Sequence, residues 1–331
     1  MAERWSPDHL RLHRLLLSRP ALLPQGSPLL LAVSGGQDSM ALLALLGDLC
    51  RLHHWSLALW HGDHRWRADS AQQASELADW AREQDLPLTI DVWSEPEPGE
   101  AAARDWRYQR LTHQAQRMGA QRVVTGHTAS DRAETLLLQL ARGSHRRGLA
   151  SLGRSRVLAP GIELARPLLA FSRPDTARIC RQLDLPLWLD SSNLELQFSR
   201  NRVRQEVIPV LESLHPGAAR RMARSAQQLA EAELAQEELL VLALKTLEIQ
   251  APAGGLEPAL DRRGLEPLQR ANQGQLIQAW LERLGRRRCA SRILDGVLDR
   301  LQDTGSAGRS HLGDGWQLHW RARTLWLSRE V

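Results

Sequence analysis

Lysine is almost absent from this chain of 331 residues: Lys245 is the single example, so arginine carries nearly all of the positive charge. The formal net charge is +5, and the isoelectric point is near 9.9. Guanidinium groups bind phosphate in a bidentate geometry, so this balance fits a phosphate-rich partner. It fits equally well a GC-rich genome that encodes arginine in place of lysine. In either case no lysine precedes residue 245, so an amine nucleophile would have to come from a substrate.

Cysteine and long apolar runs are also scarce. Cys50, Cys180 and Cys289 are far apart and form no C-x-x-C pair, which argues against a disulfide framework or a structural zinc site and favours buried thiols. No apolar run approaches the roughly 20 residues that a membrane span needs. The first residues, MAERWSPD, are polar and mixed in charge, unlike a signal peptide. We therefore expect a cytoplasmic chain without a membrane partner.

A Walker A loop is missing too, because no Gly-Lys-Ser or Gly-Lys-Thr occurs. A different glycine-rich turn lies between apolar runs at 29–33 and 40–46, which are typical of a buried strand and a buried helix. It consists of Ser34, Gly35, Gly36, Gln37, Asp38 and Ser39. Glycines allow positive φ and a close approach of the backbone, and free N–H groups at a helix N-terminus bind phosphate. Asp38 adds a carboxylate for Mg²⁺, and Ser39 adds a hydroxyl. The alternative is a tight turn before a capped helix.

Strands and helices alternate over the first part of the chain, which predicts an α/β fold with a parallel, Rossmann-like sheet. The predicted strands are 29–33, 56–60, 88–92 and 122–125, with helices near 39–53, 68–84, 100–118 and 131–141. Three motifs begin where a strand ends: SGGQDS, HGDH at 61–64 and GHT at 126–128. They should meet in one crevice at the carboxyl edge of the sheet.

The character of the sequence changes near residue 215. A long helical pattern covers 217–248, two more helical stretches lie near 265–284 and 290–302, and period-2 alternation at the end predicts a β-hairpin. We expect an α/β domain that carries the glycine-rich turn over residues 1–215 and a smaller, mainly helical domain over 216–331. The Trp316, Leu318 and Trp320 stripe is expected to be the buried face of the hairpin rather than a base-stacking surface.

Charged motifs follow the glycine-rich turn, and each has two interpretations. His61, Asp63 and His64 are a weak metal signal and equally fit a polar loop. Arg104 and Arg107 share a helix face, which is either solvated or able to neutralise phosphate.

Two more motifs lie further along the chain. His127, Asp131 and Glu134 lie at i, i+4 and i+7, where they either cap a helix or form an acidic pocket for a cationic substrate. The basic run Arg200–Arg204 is typical of a solvated helix face.

Taken in order, these elements resemble the tRNA(Ile)-lysidine synthetase family of the PP-loop, or N-type ATP pyrophosphatase, superfamily. The matching pieces are SGGQDS, H-x-D-H-x-x-R-x-x-S at 61–70, A-R-x-x-R-Y at 103–108, G-H-x-x-x-D-x-x-E-T at 126–135, R-G-S at 142–144, R-P-L-L at 166–169, D-x-S-N at 190–193 and R-N-x-x-R at 200–204. Ser130 and Arg132 depart from the aspartate and glutamine that the family often has there, which predicts a less negative pocket.

The resemblance implies an ATP-dependent ligase that adenylates C2 of the wobble cytidine in tRNA(Ile) with a CAU anticodon and then attaches L-lysine, giving lysidine. It implies that the SGGQDS residues bind ATP, with Asp38 on Mg²⁺, Arg107 on the developing phosphate charge and His127 in adenylation. Asp131, Glu134 and Arg200 would bind lysine. The expected tRNA-binding residues are Arg104, Arg204, Arg220, Arg221, Arg224 and Arg287, and a homodimer is possible in such a family. The alternatives are a 2-thiocytidine synthetase, which would need cysteine pairs, and a non-catalytic ATP- or tRNA-binding module.

Overall fold

Two separate sheets organise the chain, one in each of its two compact units, Met1–Ala230 and Glu231–Val331. The computed structural model describes residues 5–66, 69–97, 99–150, 152–188, 199–286, 289–303 and 306–329. The division between the units falls inside a long helix, Ala218–Leu247. The boundary predicted at residue 215 lies upstream of it, in the loop that follows the helix Ile208–Leu214.

The first sheet has six strands: β1 Pro28–Ala32, β2 Ser56–Asp63, β3 Leu88–Val92, β4 Arg122–Thr125, β5 Ser155–Ala159 and β6 Ile162–Ala165. Their order is β3-β2-β1-β4-β6-β5, and all neighbours are parallel except β5 and β6. The predicted parallel α/β fold is therefore confirmed. The chain moves outward from β1 to β3 and then returns to β4 on the other side of β1. The carboxyl ends of β1 and β4 thus form the switch point where such sheets bind ligands.

The helices that begin in the first unit are α1 Pro7–Ser18, α2 Gln37–His53, α3 Ser70–Glu83, α4 Glu100–Arg117, α5 Ala129–Ala141, α6 Arg146–Leu149, α7 Arg173–Gln182, α8 Ser199–Arg202, α9 Ile208–Leu214 and α10 Ala218–Leu247, and α10 continues into the second unit. A π-helical turn, Val203–Val207, joins α8 to α9. In β1, Leu29 and Leu31 face one hydrophobic core, whereas Leu30 faces another. This alternation buries both faces of the central strand, which explains its uninterrupted apolar sequence.

The second unit contains β7 Glu248–Ile249, β8 Leu256–Asp261, β9 Gly308–Gly313, β10 Trp316–Trp320 and β11 Thr324–Arg329. They form an antiparallel sheet in the order β7-β8-β11-β10-β9, so the predicted terminal hairpin, β10 and β11, is part of a larger sheet. The helices are α11 Arg262–Leu265, α12 Arg270–Arg283 and α13 Ser291–Leu301. Trp316, Leu318 and Trp320 are buried in the core, as expected for the packing face. In the described part of the chain, no helix combines the length and hydropathy of a membrane span.

Candidate active site

The glycine-rich turn joins β1 to α2 and is shaped by two hydroxyl groups. Gly35 has φ +78°, which favours glycine, and Gly36 caps α2 in an extended conformation. Ser39 Oγ donates to the Gly36 carbonyl at 2.8 Å and accepts from the Ser34 N–H at 3.2 Å. The Gly36 N–H donates to Ser34 Oγ at 3.3 Å. The turn is thus held in one shape at the N-terminus of a helix, where backbone N–H groups and the helix dipole favour an anion.

The Asp38 carboxylate lies in the first turn of α2 and contacts α7. Thr176 Oγ1 donates to Asp38 Oδ1, and Arg173 Nη1 lies 3.4 Å from Asp38 Oδ2. Burial raises the pKa of the Asp38 carboxyl above its ordinary value, and the charge of Asp131 adds to this rise. A carboxylate whose ionised form is disfavoured in this way fits a site that receives a cation. Thr176 and Arg173 were not predicted as site residues, although the capping-box pattern Ser172-x-x-Asp175 marks the start of α7.

Gly126 brings the loop after β4 against the glycine-rich turn. A Cβ atom at Gly126 would lie 2.9 Å from the Asp38 carbonyl carbon and oxygen and 3.0 Å from the Ser39 nitrogen. Only glycine therefore allows this approach without a shift of the backbone. The next residue, His127, lies with its Nδ1 2.8 Å from Thr125 Oγ1. The two loops meet at the switch point, as the sequence predicts.

His127 is held as a neutral imidazole. Burial lowers its pKa below the ordinary value, and Asp131 opposes this shift. The charges of Arg166, Arg200 and Arg107 lower the pKa further. A neutral ring can accept or donate a hydrogen bond without adding positive charge to the crevice.

Asp131 and Glu134 form an ion-pair network with the basic run that follows α7. Asp131 Oδ1 accepts from Arg200 at 2.7 Å, and Glu134 accepts from Arg200 Nε at 2.8 Å and from Arg204 Nε at 2.7 Å. Asp131 Oδ2 also accepts from the Thr128 N–H at 2.7 Å, which completes a capping box. Because α5 begins at Ala129, His127 precedes the helix instead of sharing its face. The helix-cap interpretation is therefore confirmed for Asp131, whereas the acidic pocket for a cationic substrate stays a prediction.

The neighbouring arginines help to lower the pKa of Asp131. Burial alone would raise it, but Arg200, His127, the Thr128 N–H and Arg204 together lower it below the ordinary value. Asp131 is therefore ionised near neutral pH. Glu134 is only 1% exposed and keeps both carboxylate oxygens on guanidinium groups. Arg204, expected to contact tRNA, is thus part of this network.

The chain matches known proteins over nearly its whole length. Residues 10–211 match the family model described as PP-loop domain. The tRNA(Ile)-lysidine synthase of Parasynechococcus marenigrum is 49% identical over 98% of this chain and 96% of its own length. This chain belongs to the tRNA(Ile)-lysidine synthase family. Its members include the synthase of Thermosynechococcus vestitus, 39% identical over 98% of this chain and 92% of that protein.

Membership of the lysidine synthase family makes this chain an ATP-dependent, tRNA-modifying ligase, as its motifs imply. Among solved structures, a U34-tRNA thiolase, NcsA from Methanococcus maripaludis, has a TM-score of 0.58 and covers 68% of this chain and 78% of its own. Its identity is 17%, so this likeness shows a shared PP-loop fold.

The predicted residues of the HGDH motif and of helix α4 have contacts of their own. Arg107 Nη2 lies 3.2 Å from His64 Nε2, and Arg104 lies over the ring of Tyr108. His61 donates its Nδ1 proton to the Val33 carbonyl at 2.8 Å. Asp63 is paired with Arg65 at 2.9 Å. His61, Gly62 and Asp63 lie within β2, which extends beyond the predicted end at residue 60, so most of HGDH is the last part of a strand and not a loop that follows it. No group of three or more metal-binding side chains occurs in the described residues.

The arginines of α10 have mixed surroundings. Arg220 lies 3.8 Å from Asp175, and Arg221 donates to the carbonyls of Pro216 and His215. Arg224 is exposed. Arg287 and the D-x-S-N motif at 190–193 lie outside the described residues.

Trp188 contacts the glycine-rich turn, and the motif analysis did not predict this residue. The backbone N–H of Trp188 donates to the Gly35 carbonyl at 3.0 Å, and the Trp188 ring would lie 3.1 Å from a Cβ atom at Gly35. The Trp188 indole also donates to Glu76 at 2.9 Å. This side chain packs against Gly35 in the glycine-rich turn.

Proposed function

We propose that this chain adenylates the C2 oxygen of the wobble cytidine in an isoleucine tRNA with a CAU anticodon and then joins C2 to the ε-amine of L-lysine. The observation that carries the proposal is the contact at Gly126, which brings the SGGQDS turn and the His127–Glu134 segment into one crevice. Adenylation turns the carbonyl oxygen, a poor leaving group, into AMP, a good one. We also propose that the reaction takes place in the cytoplasm and that the enzyme forms a homodimer.

ATP fits the glycine-rich turn. Ser34, Gly35, Gly36 and Gln37 supply the N–H-lined turn, and Ser39 fixes its shape by hydrogen bonds. Asp38 would hold the Mg²⁺ that accompanies the triphosphate, since burial and Asp131 disfavour its ionised form despite the contacts from Thr176 and Arg173. The ion would neutralise charge that develops on the departing pyrophosphate. Arg107 would add positive charge beside it.

His127 would act beside the cytidine as a neutral hydrogen-bonding group during adenylation. Its lowered pKa keeps it uncharged, so it can contact the base and then the oxygen that bonds to phosphorus.

Lysine would bind at the ion-pair network. Asp131 and Glu134 would take its ammonium groups by exchanging one guanidinium contact for an ammonium contact, and Arg200 would turn to the lysine carboxylate. The ε-amine must lose a proton before it attacks, because its ordinary pKa is near 10.4. The lowered pKa of Asp131 suits cation binding better than proton acceptance, so we assign the proton to a water path past these carboxylates.

The thiolation alternative finds no support in the cysteines. Burial raises the pKa of the Cys180 thiol to about 11, and burial also raises the pKa values of Cys50 and Cys289. Thiols of this kind are poor nucleophiles and poor metal ligands, because both roles need the thiolate.

The test is incubation of the protein with the CAU isoleucine tRNA, ATP, Mg²⁺ and lysine, followed by mass spectrometry of the digested nucleosides. We expect a lysine adduct on one cytidine, with AMP and pyrophosphate as products. A matched tRNA with uridine at the wobble position should give no lysine adduct, no AMP and no pyrophosphate. ATP cleavage with a different acceptor, and no adduct on cytidine, would refute the proposal.

A further inference from the structure

Tyr108, the single tyrosine of the chain, lies among three arginines. The guanidinium carbon of Arg156 lies 4.5 Å from the centre of the Tyr108 ring, and that of Arg104 lies 5.7 Å from it. Arg166 interacts with the Tyr108 hydroxyl. In the part of the chain that the structure describes, none of these three arginines forms an ion pair with a carboxylate. The group therefore concentrates positive charge without internal compensation.

Arg166 is the buried member of this group. It is 2% exposed, and its Nη1 donates to the Gly153 carbonyl at 2.7 Å. Its Nε atom is buried and has no hydrogen-bond partner in the structure. Burial lowers the pKa of Arg166, Tyr108 opposes the shift, and the charges of Arg156 and Arg104 add to it. A buried cation beside two like charges is unfavourable unless an anion binds nearby.

An open cavity lies beside the three arginines. It has a volume of about 470 Å³ between α4 and β5. Tyr108 and Arg156 line it, together with the hydrogen-bonding side chains of Gln109, Thr112, His113 and Gln116. Asp105 also lines it. The cavity is large enough for a phosphate group and its sugar, and its walls supply donors for both.

We propose that Arg104, Arg156 and Tyr108, supported by the buried Arg166, bind a backbone phosphate of the substrate tRNA. This inference rests on the proposed function, because it takes the bound RNA to be the tRNA that is modified. A stacked Arg–Tyr pair presents guanidinium N–H groups in a fixed plane, which suits bidentate contact with a phosphodiester. Free pyrophosphate offers the same chemistry, and the experiment separates the two sources.

The experiment compares the Arg156→Gln variant with Arg117→Gln, an exposed arginine in the last turn of α4. The dissociation constant of tRNA is measured without ATP over a series of salt concentrations. We expect Arg156→Gln to weaken binding roughly tenfold and to reduce the slope of log K against log salt by about one contact. Arg117→Gln should keep the wild-type slope. An unchanged slope for Arg156→Gln would overturn the proposal.

The second measurement is the KM for ATP in the tRNA-dependent release of pyrophosphate. We expect the KM for tRNA to rise and the KM for ATP to stay at its wild-type value. A rise in the KM for ATP with an unchanged salt slope would assign the site to pyrophosphate and refute the tRNA phosphate. If Arg156→Gln fails to fold, the exposed Arg104→Gln variant makes the same test. Salt-dependent tRNA binding does not need lysidine formation, so it can succeed even where the proposed reaction fails.

Discussion

The contact between Gly126 and the glycine-rich turn, together with the proposed function, predicts that Gly126→Ala impairs adenylation. The added methyl would lie 2.9 Å from the Asp38 carbonyl group, whereas comfortable contact needs about 3.5 Å or more. Because the opposing atoms are backbone, the glycine-rich turn must move by roughly half an ångström or more. A displacement of about 1 Å in positioned groups costs on the order of 100-fold in rate. We therefore expect a 10- to 100-fold loss, where the range is an order-of-magnitude estimate.

Gly47→Ala is the matched control, because Gly47 lies on the same helix α2 and a Cβ atom there meets nothing within 4 Å. It should leave adenylation unchanged and stabilise the protein by about 0.5–1 kcal/mol, as expected for alanine in a helix interior. Gly126→Ala should instead lower the free energy of unfolding by about 1–3 kcal/mol through overpacking.

The assay for both variants is tRNA-dependent release of pyrophosphate at saturating ATP, with denaturant unfolding measured in parallel. A Gly126→Ala enzyme with the wild-type rate would refute the reasoning, because the two loops could not then be in the contact described. A loss of rate in both alanine variants would also refute it, since the effect would not depend on the contact.

Three further predictions concern the charged groups. Asp38→Asn should abolish pyrophosphate release yet raise the melting temperature of the free protein, because the raised pKa of Asp38 means that its charge opposes folding above that pKa; a lower melting temperature with intact release would contradict this. Glu134→Gln should cost roughly 3 kcal/mol in unfolding free energy, as for a broken buried ion pair, against less than about 1 kcal/mol for Asp79→Asn in an exposed pair; equal costs would count against the network. Since the pKa of His127 is lowered, the pH profile of adenylation should show no inflection from this group near pH 6.5. An inflection there that is present in the wild-type enzyme and absent from His127→Gln would contradict this prediction.

The lysine pocket yields one more test, in which Asp131→Ala should slow lysine transfer more than adenylation. Single-turnover measurements of the two half-reactions would show the difference, and equal losses would argue against the pocket. The pKa of Asp131 is lowered in the folded protein, so its contribution to stability is complete above the unfolded value near 3.9 and disappears as the pH falls through the lower folded value. The free energy of unfolding of Asp131→Ala should therefore be lower than that of the wild type at neutral pH, and it should change less as the pH falls.

Local pattern was sufficient for the first four strands of the fold, and β3 and β4 have the predicted bounds. It was insufficient for β5 and β6, which are short strands joined by Pro160 and Gly161. That Pro-Gly pair is a turn signal between two apolar-rich segments and could have revealed the hairpin. β9 was also missed, although Asp314 and Gly315 join it to β10 and an Asp-Gly pair is a strong hairpin signal. β8 pairs with the distant β11 as well as with the short β7, and no local pattern could show the longer-range pairing.

The site, like the fold, contains residues that local sequence predicts and residues that it does not. SGGQDS and GHT were identified because each follows a strand end, and the geometry of parallel sheets brings such ends together. The partners of Asp131 were not predictable from spacing, since Arg200 lies 69 residues further along the chain. The same limit applies to Thr176, whose hydroxyl reaches Asp38 from α7. Local spacing describes one helix face, whereas these contacts depend on how separate helices pack.

The two departures from the family pattern gain a physical explanation from these contacts. Ser130 Oγ accepts the N–H of Arg173 at 3.1 Å, at the start of the helix that supports Asp38. Arg132 is 2% exposed and donates to the Leu152 carbonyl and to Gln227. Arg132 therefore binds the loop at 152 and helix α10. A second carboxylate at position 130 would add to the charge of Asp131 that already raises the pKa of Asp38, so the serine is the departure on which the prediction of a less negative pocket rests.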